Sequence, residues 1–176
     1  MTDRNQGGDL KALFQAVRRE DARIAPSFEH VCGSETLGDN EFVSQFESCR
    51  LPKDQWKHGD HLRLGWCYVR RFGSAEAEER MVRALRAYAA TLGVANKYHE
   101  TMTRAWLRLV AVADVVMPAN ASLEAVLIEH LWLLNKQRLN VFYSSERLAS
   151  GRIVWTEPDL RRLPCGQWCC RRPEER

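Results

Sequence analysis

At 176 residues the chain has the length of one domain and is long enough to bury a core without disulfide staples. Hydrophobic residues at 45% and charged residues at 28% are ordinary for a globular protein, and a net charge of +3 lacks the concentrated basic character of a nucleic-acid binder. No N-terminal stretch has the basic start, apolar run and cleavage site of a secretory signal. The longest apolar run, 109–117, is broken by Asp114 and too short to span a bilayer. The expectation is a cytoplasmic protein with neither a membrane nor a nucleic-acid partner.

Residues 1–9 are polar and contain Gly7-Gly8, which predicts a flexible start. Leu10, Leu13, Phe14 and Val17 share helical spacing, so 10–19 reads as a short helix within a flexible extension over 1–38. Asp39 or Asn40 then caps a helix running to about Cys49, with Phe42, Val43 and Phe46 inward. Leu51-Pro52 ends it, because the residue before proline is pushed out of the α region. The next helix is expected from about Trp56 to Phe72, stopping at Gly73. Ser74 offers a cap for a third helix, with early acidic residues and an inward row of Met81, Val82, Leu85 and Tyr88. A fourth spans about 97–116 and is broken at Pro118. Ser122 caps a fifth through Leu134, and the pattern resumes over 138–148. The tail, 151–176, reads as extended coil, strapped down by Trp155, Leu160 and Leu163.

No segment alternates as a strand does. The expected fold is all-α: a single-domain bundle of about five main helices over 39–150.

Six cysteines in a cytosolic chain read as free thiols. Cys165, Cys169 and Cys170 lack the spacing of a zinc knuckle and read as an oxidation-prone terminus.

Candidate chemistry centres on two short stretches that hold three of the five histidines. His58 and His61 are three apart, so they share a helix face with Leu62, Gly65, Trp66 and Val69. That stripe is apolar, which turns both imidazoles inward. Burial and the helix N-terminus keep them neutral, the form that binds metal. Gly65, one turn on, leaves space for a ligand. His99 opens the fourth helix. If the intervening helix runs out and back, His99 returns to the same end of the bundle.

His58, His61 and His99 are thus expected to converge on a divalent metal ion, zinc or iron, with open positions for a small-molecule substrate. Glu47 is a candidate fourth ligand or proton carrier. Glu100 is either a catalytic or orienting carboxylate or the helix-surface partner of Arg104. Trp56, Tyr98 and Thr103 are the expected ligand-binding neighbours. His130 reads as a half-buried structural residue and His30 as a solvated one. Asn135, Lys136 and Arg138 with Tyr143-Ser144-Ser145 form either an anion-binding mouth or a solvated bend.

Residues 56–62 read Trp-x-His-x-x-His-Leu, 98–103 Tyr-His-Glu-Thr-x-Thr, 143–148 Tyr-Ser-x-Glu-Arg-Leu and 157–164 Glu-Pro-Asp-Leu-x-x-Leu-Pro. In these motifs, over about 39–164, the chain resembles a family of small, uncharacterised bacterial proteins. The resemblance implies a shared helical fold and no particular activity. Two functions follow as expectations: a metal-dependent enzyme, hydrolytic or oxidative, or a non-catalytic module in which the histidines bind a small ligand or form a structural network.

Overall fold

The computed structural model describes residues 32–34 and 36–164. The expected helix at 10–19, His30, and the thiols Cys165, Cys169 and Cys170 lie outside the described residues. Among those residues there is no strand. Six α-helices follow in order: α1 Asp39–Glu47, α2 His58–Phe72, α3 Ser74–Thr91, α4 Glu100–Val115, α5 Leu123–Glu129 and α6 Ser145–Ser150. Short 3-10 turns precede α2 (Lys53–Gln55) and α4 (Ala95–Lys97), and two more lie between α5 and α6 (Leu131–Leu134 and Arg138–Val141). The result is one helical domain, and none of its described helices is long and apolar enough to cross a membrane.

α2, α3 and α4 form the frame. Gly73 at φ +71 joins α2 to α3 in a single residue, a backbone conformation that glycine adopts without strain. Arg86 of α3 pairs with Glu100, while Glu78, earlier in α3, pairs with Arg104 and Arg108, later in α4, so the two helices run antiparallel. α2 and α4 run parallel. His58 meets Trp106 with ring centroids 4.6 Å apart, and two turns on Trp66 donates to Asp114 at 3.0 Å. Arg70 locks that end with an ion pair to Asp114 at 2.6 Å.

The α2–α4 pair separates two apolar clusters. On one side Leu62, Trp106, Leu109 and Val110 pack against Val126, Leu133 and Phe142. On the other Leu64, Tyr68 and Leu107 pack against Phe42, Phe46, Met81 and Leu85. Each wholly buried leucine side chain adds about 1.5–3 kcal/mol over an exposed one, so these two faces hold the frame together.

Several boundaries differ from the sequence expectation. α1 ends at Glu47, and Cys49 turns away at φ +54. α2 begins at His58, because the carboxylate of Asp60 reaches back to the Lys57 amide at 2.8 Å and caps the helix there. Trp56 precedes the helix. α4 begins at Glu100 rather than near Lys97, with His99 as its cap. The fifth helix stops at Glu129, where His130 leaves helical geometry at φ −125, ψ 54. The region expected to be helical over 138–148 divides into the 3-10 turn Arg138–Val141 and the short helix α6.

The tail straps down as expected, in part. Leu160 donates its amide to the Phe142 carbonyl at 3.1 Å, Arg108 stacks 4.1 Å over Trp155, and Leu163 packs on the core. The Leu160 side chain itself is exposed.

Candidate functional site

The parallel run of α2 and α4 brings their N-terminal ends together, beside the C-terminal half of α3. Between them lies a cavity of about 370 Å³. One wall is Trp56, His58 and His61; the second is Met81, Leu85, Tyr88 and Ala89; the third is Tyr98, His99, Met102, Thr103 and Trp106. Lys53 and Lys97 also line it, from the exposed turns ahead of α2 and α4.

Trp56 is fixed by stacking on Phe46, with ring centroids 5.0 Å apart, and by packing against Tyr88 at 5.3 Å. Its indole N–H donates to His61 Nε2 at 2.7 Å. A nitrogen that accepts is unprotonated, so the neutral His61 ring carries its proton on Nδ1. His58 makes the opposite choice. Its Nε2 lies 2.8 Å from the Leu133 carbonyl, which only accepts, so Nε2 is the protonated nitrogen and Nδ1 keeps its lone pair. Burial, the neighbouring His58 and the charge of Lys136 hold the His61 pKa down to about 3. His61 is enclosed by protein, and part of its surface remains accessible along the cavity it lines. Burial lowers His58 as well; the Leu133 bond opposes this and Lys136 adds to it. Both rings are neutral at pH 7.

His99 lines the same cavity but is fully engaged by the protein. Its Nδ1 accepts the Met102 amide at 3.3 Å, and its Nε2 donates to the Leu148 carbonyl at 2.9 Å. It therefore caps α4 and ties it to the end of α6. Burial lowers its pKa, against the effect of the Leu148 bond.

The neighbouring motif residues have similar duties. The amides of Glu100 and Thr101 donate to the carbonyls of Arg152 and Gly151 at 2.9 and 3.1 Å. The Thr101 hydroxyl donates to Val154 and accepts from the Thr156 amide. The buried Glu100 carboxylate takes Arg104 at 2.6 Å, Arg86 at 2.8 Å and the Tyr98 hydroxyl at 2.5 Å. Burial alone would raise its pKa; these hydrogen bonds and the two guanidinium charges outweigh that and lower it. Glu100 is thus an ionised strut, and the Arg104 pairing expected on the helix surface is buried inside a network. Glu47 lies apart from the cavity: it is exposed and accepts from the Tyr68 hydroxyl at 2.8 Å.

The three histidines expected to share a metal ion line one cavity without forming a three-ligand group. Among the described residues no three His, Cys, Asp or Glu side chains are grouped to hold one ion. The three imidazoles share a cavity, but His99 has both nitrogens engaged, which leaves His58 and His61 as the two with a nitrogen the protein does not claim.

The space expected beside Gly65 is also filled. A Cβ there would meet Leu107 at 3.2 Å and the sulfur of Met81 at 3.6 Å, so this glycine serves close helix packing and not a ligand. Trp56, Tyr98 and Thr103 do line the cavity. His130 is more buried than expected, with its ring against Trp132. Of the two readings of residues 135–145, the bend is the one seen, more buried than a solvated one: Asn135 closes a turn onto the Gln137 amide, Arg138 and Tyr143 are buried, and Ser144 caps α6.

Sequence reasoning missed the α3 wall and both lysines. The inward row of α3 was visible as an apolar period, but whether such a row faces core or cavity is decided by its neighbours. Asp60 was missed too. It is fully buried and also binds the Gly33 amide and the Ser34 hydroxyl, tying residues 33–34 to α2. Comparison with models of protein families, with curated proteins and with solved structures finds no match to this chain.

Proposed function

We propose that this protein binds a small, largely apolar organic molecule in the cavity between α2, α3 and α4. The observation that supports this is the cavity itself. Its volume of about 370 Å³ is that of a small-molecule site, its walls are mainly aromatic and aliphatic, and its polar groups are few and fixed. The His58 Nδ1 lone pair and the His61 Nδ1–H offer one acceptor and one donor, and their neutrality avoids the cost of burying charge. A metal-dependent enzyme would need His99 to give up a bond that holds α4 in place, so the binding reading accounts for more of the geometry.

The test uses indole as a neutral aromatic probe. Saturation-transfer NMR on the full chain should show indole bound. Ala89→Trp, which fills the cavity, should abolish the signal while circular dichroism stays helical. Thr103→Phe does the same from the opposite wall. Undiminished transfer in both variants would place the binding elsewhere and overturn the proposal.

A further inference from the structure

Resting on that reading, we infer that the natural ligand ends in an anionic group, the carboxylate of a small aromatic or aliphatic acid, held at the cavity mouth by Lys53 and Lys97.

The cavity has a consistent electrostatic sign. Lys53 and Lys97 line it, and no Asp or Glu does. Both lysines are exposed, whereas Tyr88 and Trp106 deeper in the walls are buried. Charge therefore sits at the rim and apolar surface inside. Neither lysine makes an ion pair with a described residue, although the arginines around α3 and α4 are paired extensively. Lys136 adds a third positive charge close enough to act on His58 and His61.

Two of the acids near the site are already neutralised, and a third, Asp54 beside Lys53, acts on Tyr88 but does not line the cavity. Glu100 sits between Arg86 and Arg104, and Asp60 is taken by two amides and a hydroxyl. The α4 helix end does not supply the charge, because its first amides bond to Gly151, Arg152 and His99. Among the described residues, Lys53 and Lys97 are the charged groups that line the cavity. Their long apolar stems let them lie along the rim while each ammonium meets an anion in partly desolvated surroundings. An amine of the same shape would meet like charge instead.

The experiment compares matched ligands that differ only at the end group: carboxylate, carboxamide and aminomethyl, each on phenyl, naphthyl and n-nonyl bodies. Affinities are measured by calorimetry on the full chain at low ionic strength. For the best-fitting body the acid should bind about fivefold to tenfold tighter than the amide, as two partly exposed charge pairs allow, and the amine more weakly than either. Lys53→Gln with Lys97→Gln should bring the acid down to the amide and leave the amide unchanged. Salt should narrow the gap in wild type. Equal binding of acid, amide and amine would overturn the inference and leave the cavity reading standing. No binding of any body would overturn both. A preference for acid that survives the double variant would overturn the assignment to these lysines.

Discussion

The first turns of α2 and α4 border the same cavity, yet their exposed amides are satisfied in opposite ways. α2 is finished locally: Asp60, three residues into the turn, reaches back to the Lys57 amide. α4 is finished from a distance, by the carbonyls of Gly151 and Arg152. His99 adds a cap that is itself held by Leu148, 49 residues away. The difference shows how one kind of sequence signal, a histidine at the start of an amphipathic helix, serves two purposes. In α2 the local cap leaves His58 and His61 each with a nitrogen unclaimed by the protein. In α4 the Met102 amide, three residues on, and the distant Leu148 carbonyl together claim both nitrogens of His99.

The most severe way to break this comparison is to remove the strut beside the α4 turn. Glu100→Ala takes from Arg104 one of its two buried carboxylate partners, Glu78 remaining, removes the acceptor of the Tyr98 hydroxyl, and should cost about 1.5–3 kcal/mol. Urea unfolding measures it. A loss below about 1 kcal/mol would reduce the network to an ordinary surface pair.

Gly151→Ala tests the distant carbonyls directly. The added Cβ would lie 2.3 Å from the Thr101 hydroxyl oxygen and 2.5 Å from that of Thr156. The segment must move, at about 1–3 kcal/mol. Amide exchange should quicken at Glu100 and Thr101 and stay unchanged at the start of α2. Uniform quickening would show that the two turns are not independent.

The neutral histidines of α2 give a pH test. The His61 pKa is held near 3 in the fold, against 6.5 in its absence, so the unfolded chain takes up the proton first as pH falls. Stability is therefore full above about pH 7 and is lost as pH falls below 6.5, by up to about 1.4 kcal/mol per unit for one such group. His58 and His99, also lowered, act with the same sign. The urea midpoint should fall between pH 7 and 5, above the range where most carboxylates titrate. His61→Gln should flatten that slope. An unchanged slope would mean that His61 is not held neutral.

The smallest effect separates the two jobs of His99. His99→Ala should cost about 0.5–2 kcal/mol, as loss of a helix cap does. His99→Asn restores an acceptor for the Met102 amide and should recover part of it, leaving a deficit of about 1 kcal/mol for the Leu148 bond. Equal losses in the two variants would mean that the cap contributes nothing.

The helical period of residues 58–72, 74–91 and 100–115 was legible because each helix has one apolar stripe facing the frame. So was the shared location of His58, His61 and His99, which followed from an out-and-back path for α3. Trp56, Tyr98 and Thr103 followed with them. What spacing could not show was the direction of each nitrogen. Whether an imidazole meets a metal, a carbonyl or an indole depends on groups such as Leu133 and Leu148, which no local pattern connects to it. The same limit explains 123–148. Its apolar residues recur at helical intervals, but the chain breaks at His130 and proceeds by short turns, where burial of Trp132, Leu133 and Phe142 overrides a continuous helix. Gly65 failed for a related reason, since a missing side chain shows where atoms are absent and not which neighbour fills the gap.

The closure of α4 by carbonyls far along the chain also sets an order of events during synthesis. α2 can complete its first turn once Asp60 has been made. The α4 turn, and with it the wall formed by Tyr98 and His99, waits for a segment 49–55 residues further on. A nascent chain halted before Leu148 has every residue of the cavity lining but lacks the groups that hold one wall in position. Closing such a loop slows folding more than it alters final stability. The cavity is therefore among the last features to mature, complete only in a chain that has been made through its strap.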